Sequence, residues 1–304
     1  MFSVSAPEFR LSDTLESGQA FRWHFKNSWY YGFIPAPNHQ DLLGASCPAK
    51  VKQDGDTLTI DTIDPRVTPE LIRHYFALDL NLSDILASVD TDAQMHDAIA
   101  KFRGLRILRQ DPWECLASFI CSSFNNIKRI EGMIDRLTQA YGVPVAFNGF
   151  RGSSFPSPET IARAPERQLR ELGLGFRASY LRDTAKMIAA GKLPLETLAR
   201  VDYRVTRTAL LRCDGVGEKV ADCVALFGFE KYEAFPIDVW MQRAMRYYFR
   251  DKKVTYARMQ EFAWQHFGKF AGYAQQYLYH YVRTARTTRA PAAPPQPQAL
   301  GLAS

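Results

Sequence analysis

The chain has 304 residues, 46% hydrophobic and 13% aromatic, which suits one large or two ordinary domains and excludes a disordered chain. Its formal charge of +6 is uneven: residues 1–100 carry 7 Lys/Arg against 14 Asp/Glu, whereas residues 240–289 carry 10 against 2. The basic end suits a polyanion, although solvated helix faces are often basic too.

No run of 18 or more apolar residues occurs, and the first residues lack the basic-then-apolar pattern of a leader, so neither membrane insertion nor export is expected. Cys47, Cys115, Cys121, Cys213 and Cys223 lack paired metal-ligand spacing and several lie in apolar runs, which points to buried, reduced thiols in an intracellular setting.

In chain order, residues 1–89 are turn-rich, and alternation in "DTLTIDTI" (Asp56 to Ile63) puts Leu58 and Ile60 on one strand face. This predicts an antiparallel twisted β-sheet domain. From Asp90 the period becomes helical. Ile130, Met133, Ile134, Leu137 and Tyr141 form one apolar stripe, with Gly142 placed to end the helix. Further helices are predicted at Pro165 to Leu172, Ala178 to Ala190, Arg204 to Arg212, Lys219 to Phe227, Val239 to Phe249, Tyr256 to Phe267 and Gly272 to Ala285. The expected class is therefore α+β, with a mostly α-helical domain over 90–289. A Pro- and Ala-rich tail at 290–304 is expected to be disordered.

The segment "CDGVGEK" joins two short helices through a glycine turn. Gly215 and Gly217 permit positive φ and leave no Cβ in the way, and the unpaired amides that open the second helix, at Val220 and its neighbours, favour an anion. The pattern reads as a helix-hairpin-helix gripping a DNA backbone; an ordinary interhelical turn explains a lone GxG equally well. Lys219 sits in that first turn, where the helix dipole and the apolar Val216 and Val220 disfavour an ammonium. A neutral amine there is a nucleophile able to form a Schiff base. Cys223, one turn on, shares its face, although a small core side chain is the commoner role. Asp238, after Pro236, is placed to cap the next helix, which keeps it ionised; near Lys219 it would stabilise positive charge developing on a sugar.

"DGVGEKVADCVALFGFEKYEAFPIDVW" resembles the helix-hairpin-helix and Gly/Pro-rich loop with aspartate of the base-excision DNA glycosylases, and within them the 8-oxoguanine DNA glycosylases. "LESGQAFRW", "LRQDPWECLASFICSSFNNIKRIEGMIDRL" and "LGLGFRASYL" agree, so the resemblance spans nearly the whole chain before the tail. It implies a bifunctional glycosylase/AP lyase. Lys219 attacks C1′ of the flipped nucleoside, assisted by Asp238, and strand cleavage follows through a Schiff base. Gly18 accepts the N7 proton that distinguishes 8-oxoguanine from guanine, Cys223 and Tyr279 sandwich the lesion, and Gln275 reads it.

The resemblance further implies contacts to the orphaned cytosine from Arg129, Arg177 and an asparagine. The asparagine position holds Phe124, followed by Asn125; phenylalanine has no amide to offer, so strict cytosine preference loses a contact, and a stacking wedge is the substitute. Flipping precedes chemistry because a stacked base hides C1′. The implied partner is double-stranded DNA with a damaged base, bound by a monomer with no cofactor and no metal, in the nucleoid or nucleus. Two alternatives stay open: a glycosylase for alkylated bases, which commonly lacks the lysine, and a non-catalytic helix-hairpin-helix DNA binder. Cluster-bearing glycosylases need four cysteines after the aspartate, and none follows Cys223.

Overall fold

The computed structural model describes residues 1–36, 46–250 and 254–285; the segment expected to be a disordered tail lies outside them. Five strands form one antiparallel sheet: β1 (Phe2–Ser5), β2 (His24–Lys26), β3 (Trp29–Pro35), β4 (Ser46–Asp54) and β5 (Thr57–Asp61), in the order β1-β5-β4-β3-β2. Leu58 and Ile60 share its buried face, as their alternation requires. Between β2 and β3 the chain reverses at Asn27 and Ser28, whose φ values of 50° and 64° match the two left-handed positions of a type I′ turn. Lys50 and Asp61, opposite each other on β4 and β5, pair at 2.8 Å.

Helices begin earlier than the change of period at Asp90 suggested. Pro69–Tyr75 is capped by the Thr68 hydroxyl, and Leu82–Val89 by the Asn81 side chain. Both are too short to show a helical period against the turn-rich sequence around them. Two strands, Pro144–Phe147 and Phe150–Ser153, also interrupt the helical part. Their turn is Asn148-Gly149, both at positive φ, and Phe147 and Phe150 pack on Phe33 of β3. Asn148 donates to Asp61 at 3.1 Å, which ties this ribbon to the sheet.

The striped helix runs Ile127–Tyr141 and stops at Gly142. That glycine is extended (φ −88°), and a Cβ there would lie 2.0 Å from the Ser154 carbonyl oxygen, so close chain approach selects it. The helix expected at Pro165 to Leu172 is regular only over Glu166–Leu169, then widens into a π turn, Arg170–Leu174, broken at Gly173 (φ 91°). One core gathers the helices around Trp113, Ile134, Leu181, Val224 and Tyr277; another lies between the sheet and Pro69–Tyr75. They interlock, with Phe21 in the first and Leu108 in the second. Among the described residues no helix is long and apolar enough to cross a membrane.

Candidate active site

The hairpin is built as its sequence suggested, from Tyr203–Leu210 and Glu218–Phe229. Gly215 has φ +78°, and a Cβ there would lie 2.3 Å from the Tyr180 ring, so no other residue fits. Gly217 departs from expectation: it is extended, with φ −87°, and serves as the N-cap of the second helix. Nothing lies within 4 Å of where its Cβ would be. Its contribution is an open approach to the helix start. The first bond inside that helix runs from the Ala221 amide to the Gly217 carbonyl, so the amides of Glu218, Lys219 and Val220 precede the ladder and present donors to an anion. The Val220 side chain itself is in the core.

Val216 and Val220 both turn into the core, and the apolar neighbour of the Lys219 ammonium is instead the Phe119 ring, 4.9 Å from Nζ. Nζ also donates to the Ser122 hydroxyl at 3.3 Å. Asp238 caps Val239–Phe249, its Oδ1 accepting from the amides of Trp240 and Met241 at 2.9 Å each. Lys219, Cys223 and Asp238 line one narrow cleft together with Gly18, Gln275 and Tyr279, whose segments lie far apart in sequence. The cleft encloses about 40 Å³. Sites for drug-sized ligands begin at roughly 300 Å³, so the cleft is narrow in this structure.

Each wall has a distinct character. Burial pushes the Cys223 thiol up to about 12, so it is a neutral packing surface and not a thiolate nucleophile. Tyr279 is likewise pushed up to about 12 by burial, and its hydroxyl sits over Gly18, 3.2 Å from where a Cβ would be. Gly18 has φ +79°, a left-handed conformation that favours glycine, and space for a Cβ there is tight. Gln275 is buried, yet its Oε1 has no hydrogen-bond partner among the described residues, an acceptor open to a ligand.

Several supporting residues were missed from sequence. Gln19, wholly buried, donates to the carbonyls of Thr14 and Arg106 at 2.9 Å each and accepts from the Leu108 amide at 2.8 Å. It clamps the loop that carries Gly18. Gln276 does the same from the other side, donating to the Ser17 carbonyl at 3.1 Å. Phe119 gave no signal because its helix, Pro112–Cys121, is buried on nearly every face and so has no apolar stripe.

Of the residues expected to meet the opposite strand, Phe124 and Asn125 lie on the turn before Ile127–Tyr141, Arg129 in the first turn of that helix, and Arg177 at the start of the helix Arg177–Ala189. Phe124 is 96% exposed and left-handed, with φ +51°, a conformation that a bulky side chain rarely adopts. Arg129 is exposed, with no side-chain bond among the described residues. Asn125 turns inward, its amide donating to the Cys121 carbonyl at 3.3 Å. Arg177 is buried, and its guanidinium donates to the Ser123 carbonyl through Nε at 2.9 Å and also through Nη2. Arg177 thus holds the backbone of the Phe124 turn. Elsewhere a wider groove of about 470 Å³, lined by Tyr75, Arg109, Glu230 and Lys231, contains none of the expected site residues. Its Arg109 is already paired with Asp79 and Glu230 at 2.6 Å each.

A lysine at a hairpin start and an aspartate that caps the next helix line one cleft, which also holds a glutamine acceptor without a partner among the described residues. Residues 1–116 match the profile of the 8-oxoguanine DNA glycosylase N-terminal domain, and residues 117–269 match that of the HhH-GPD superfamily of base excision DNA repair proteins. A probable N-glycosylase/DNA lyase of Methanothermobacter thermautotrophicus is 31% identical over 80% of this chain and 84% of its own. The N-glycosylase/DNA lyase of Saccharomyces cerevisiae is 32% identical over 83% and 71%. The solved 8-oxoguanine glycosylase/lyase of Clostridium acetobutylicum, in complex with double-stranded DNA containing cytosine opposite 8-oxoguanine, superposes with a TM-score of 0.84 at 32% identity, covering 92% of this chain and 93% of that one. The chain belongs to the HhH-GPD superfamily of base excision DNA repair proteins, in the branch that carries the 8-oxoguanine DNA glycosylase N-terminal domain.

Proposed function

We propose that this protein excises 8-oxoguanine from duplex DNA and cleaves the resulting abasic strand, acting as a bifunctional DNA glycosylase/AP lyase in base excision repair. The observation that carries this reading is the convergence of Lys219, Asp238, Gly18, Cys223, Gln275 and Tyr279 on one cleft. The hairpin amides and Gly217 grip a phosphate, and the damaged nucleotide rotates out of the stack. Its purine slides between Cys223 and Tyr279, the free Oε1 of Gln275 accepts from its edge, and the Gly18 carbonyl accepts the N7 proton. The Lys219 amine attacks C1′; the C1′–N9 bond breaks, and its electron pair leaves with the base, which takes up the proton the amine loses. Asp238 stabilises the positive charge that builds on the sugar. The amine adduct opens to a Schiff base at C1′, loss of a C2′ proton expels the 3′ phosphate, and hydrolysis frees Lys219.

Phe124 stacks into the gap left by the flipped base, with Arg129 beside it and Asn125 and Arg177 holding the turn. The same reading makes residues 1–89 the sheet domain and 90–289 the glycosylase domain, and the protein a monomer on lesion-bearing duplex DNA within the DNA-containing compartment. Lys219→Gln tests it: with an 8-oxoguanine duplex and borohydride, wild type forms a covalent adduct, and the variant binds the duplex without forming one. An adduct with the variant would sink the role of Lys219. Wild-type turnover only on alkylated bases, or equal affinity for intact and lesion duplexes with no turnover at all, would favour the two alternatives instead.

A further inference from the structure

Lys219 and Asp238 stand on separate segments, so something must fix the distance between them. Three residues after Lys219, Asp222 turns away from the cleft while its neighbour Cys223 faces it, and its side chain is completely buried. Its Oδ1 accepts from the Tyr203 hydroxyl at 2.6 Å and Arg207 Nε at 2.8 Å. Its Oδ2 accepts from the Tyr256 hydroxyl at 2.5 Å and Gln260 Nε2 at 2.6 Å. A carboxylate with this many donors is fully satisfied despite its burial. One donor differs from the rest. The Tyr256 hydroxyl also accepts from the Ile237 amide at 3.3 Å, the residue before Asp238.

We propose that Asp222 and Tyr256 form a positioning unit that sets the Asp238 loop against the Lys219 helix, by a path of two hydrogen bonds from the carboxylate to the Ile237 amide. The proposal rests on the reading of Lys219 and Asp238 given above. A carboxylate serving only to staple helices together would make its donors interchangeable; the link to Ile237 makes them unequal. Tyr203 donates to the same carboxylate and accepts from Gln260 Nε2 at 3.1 Å, but has no bond to the Asp238 loop among the described residues, and so serves as the control.

The experiment compares Tyr256→Phe with Tyr203→Phe, each of which removes one hydroxyl that donates to Asp222. Single-turnover borohydride trapping on an 8-oxoguanine duplex is measured below both melting temperatures, alongside the Kd for that duplex. A misplacement of order 1 Å costs up to about 100-fold, so Tyr256→Phe is expected to slow trapping by about tenfold or more with Kd within about twofold. Tyr203→Phe is expected to stay within about threefold of wild type in rate. Equal losses from the two variants, or no loss from Tyr256→Phe while wild type traps, overturns the positioning unit and leaves the proposed function standing. Failure of wild type to trap overturns both.

Discussion

The Lys219 cleft and the Phe124 turn are built in opposite ways. The cleft places its reactive groups at helix starts, where caps and buried partners hold them: Asp238 is fixed by two amides, and the loop of Gly18 is clamped by Gln19 and Gln276. The turn instead projects one almost fully exposed aromatic from a left-handed residue, held from behind by the guanidinium of Arg177. A left-handed non-glycine residue costs roughly 1–2 kcal/mol, which the rest of the fold must offset. The comparison teaches that the geometry of the Lys219 cleft is over-determined here, whereas the Phe124 turn rests on one side chain and one clamp. The first tolerates little change, and the second invites variation.

The largest effect that would break this contrast is at Lys219. Loss of the nucleophile should lower strand cleavage by at least about 10³-fold, read from product on a labelled duplex. Next comes Asp238→Asn, since asparagine caps a helix as well as aspartate does. The fold should stay intact while the excision rate falls on the order of 10²-fold, as expected when one charge-stabilising group is lost. Intact activity in that variant would reduce Asp238 to a cap.

At the turn, Phe124→Asn offers amide groups and suits a left-handed backbone. One good base contact is worth about 1–3 kcal/mol, so the ratio of excision opposite cytosine to excision opposite adenine should rise about tenfold. An unchanged ratio would mean that the turn does not read the opposite base through this side chain.

The smallest effect concerns stability behind the cleft, where Asp92 accepts from Tyr248 of the helix that Asp238 caps and pairs with His266 at 2.8 Å. Burial alone would push the Asp92 carboxyl up, but the His266 ring, the Met95 amide and Tyr248 outweigh it and hold the group below its ordinary range. A carboxyl depressed in the folded state lends stability above its unfolded pKa near 4, and that stability disappears as pH falls through the folded value. Asp92→Asn should therefore cost about 1 kcal/mol in a denaturant titration at pH 7, less as pH drops below about 4, with excision little changed.

What the sequence could specify was local. The alternation of Leu58 and Ile60, the stripe from Ile130 to Tyr141, the glycine turn ahead of Lys219 and the capping place of Asp238 depend on short-range periodicity and turn chemistry, which are written in consecutive residues. The Asn148-Gly149 hairpin, which was not among the expected elements, has a local signal in its turn residues, but its docking on Phe33 has none. Tertiary structure alone decided the rest. Gly217 looks like a second left-handed glycine and is extended; Arg177 holds the Phe124 turn; Gln19 and Asp222 lie within the stretches that carry the resemblance, yet the groups that satisfy them come from distant segments. A buried polar side chain is defined by partners that only the folded chain brings within hydrogen-bond reach, and no local pattern encodes which partners those will be.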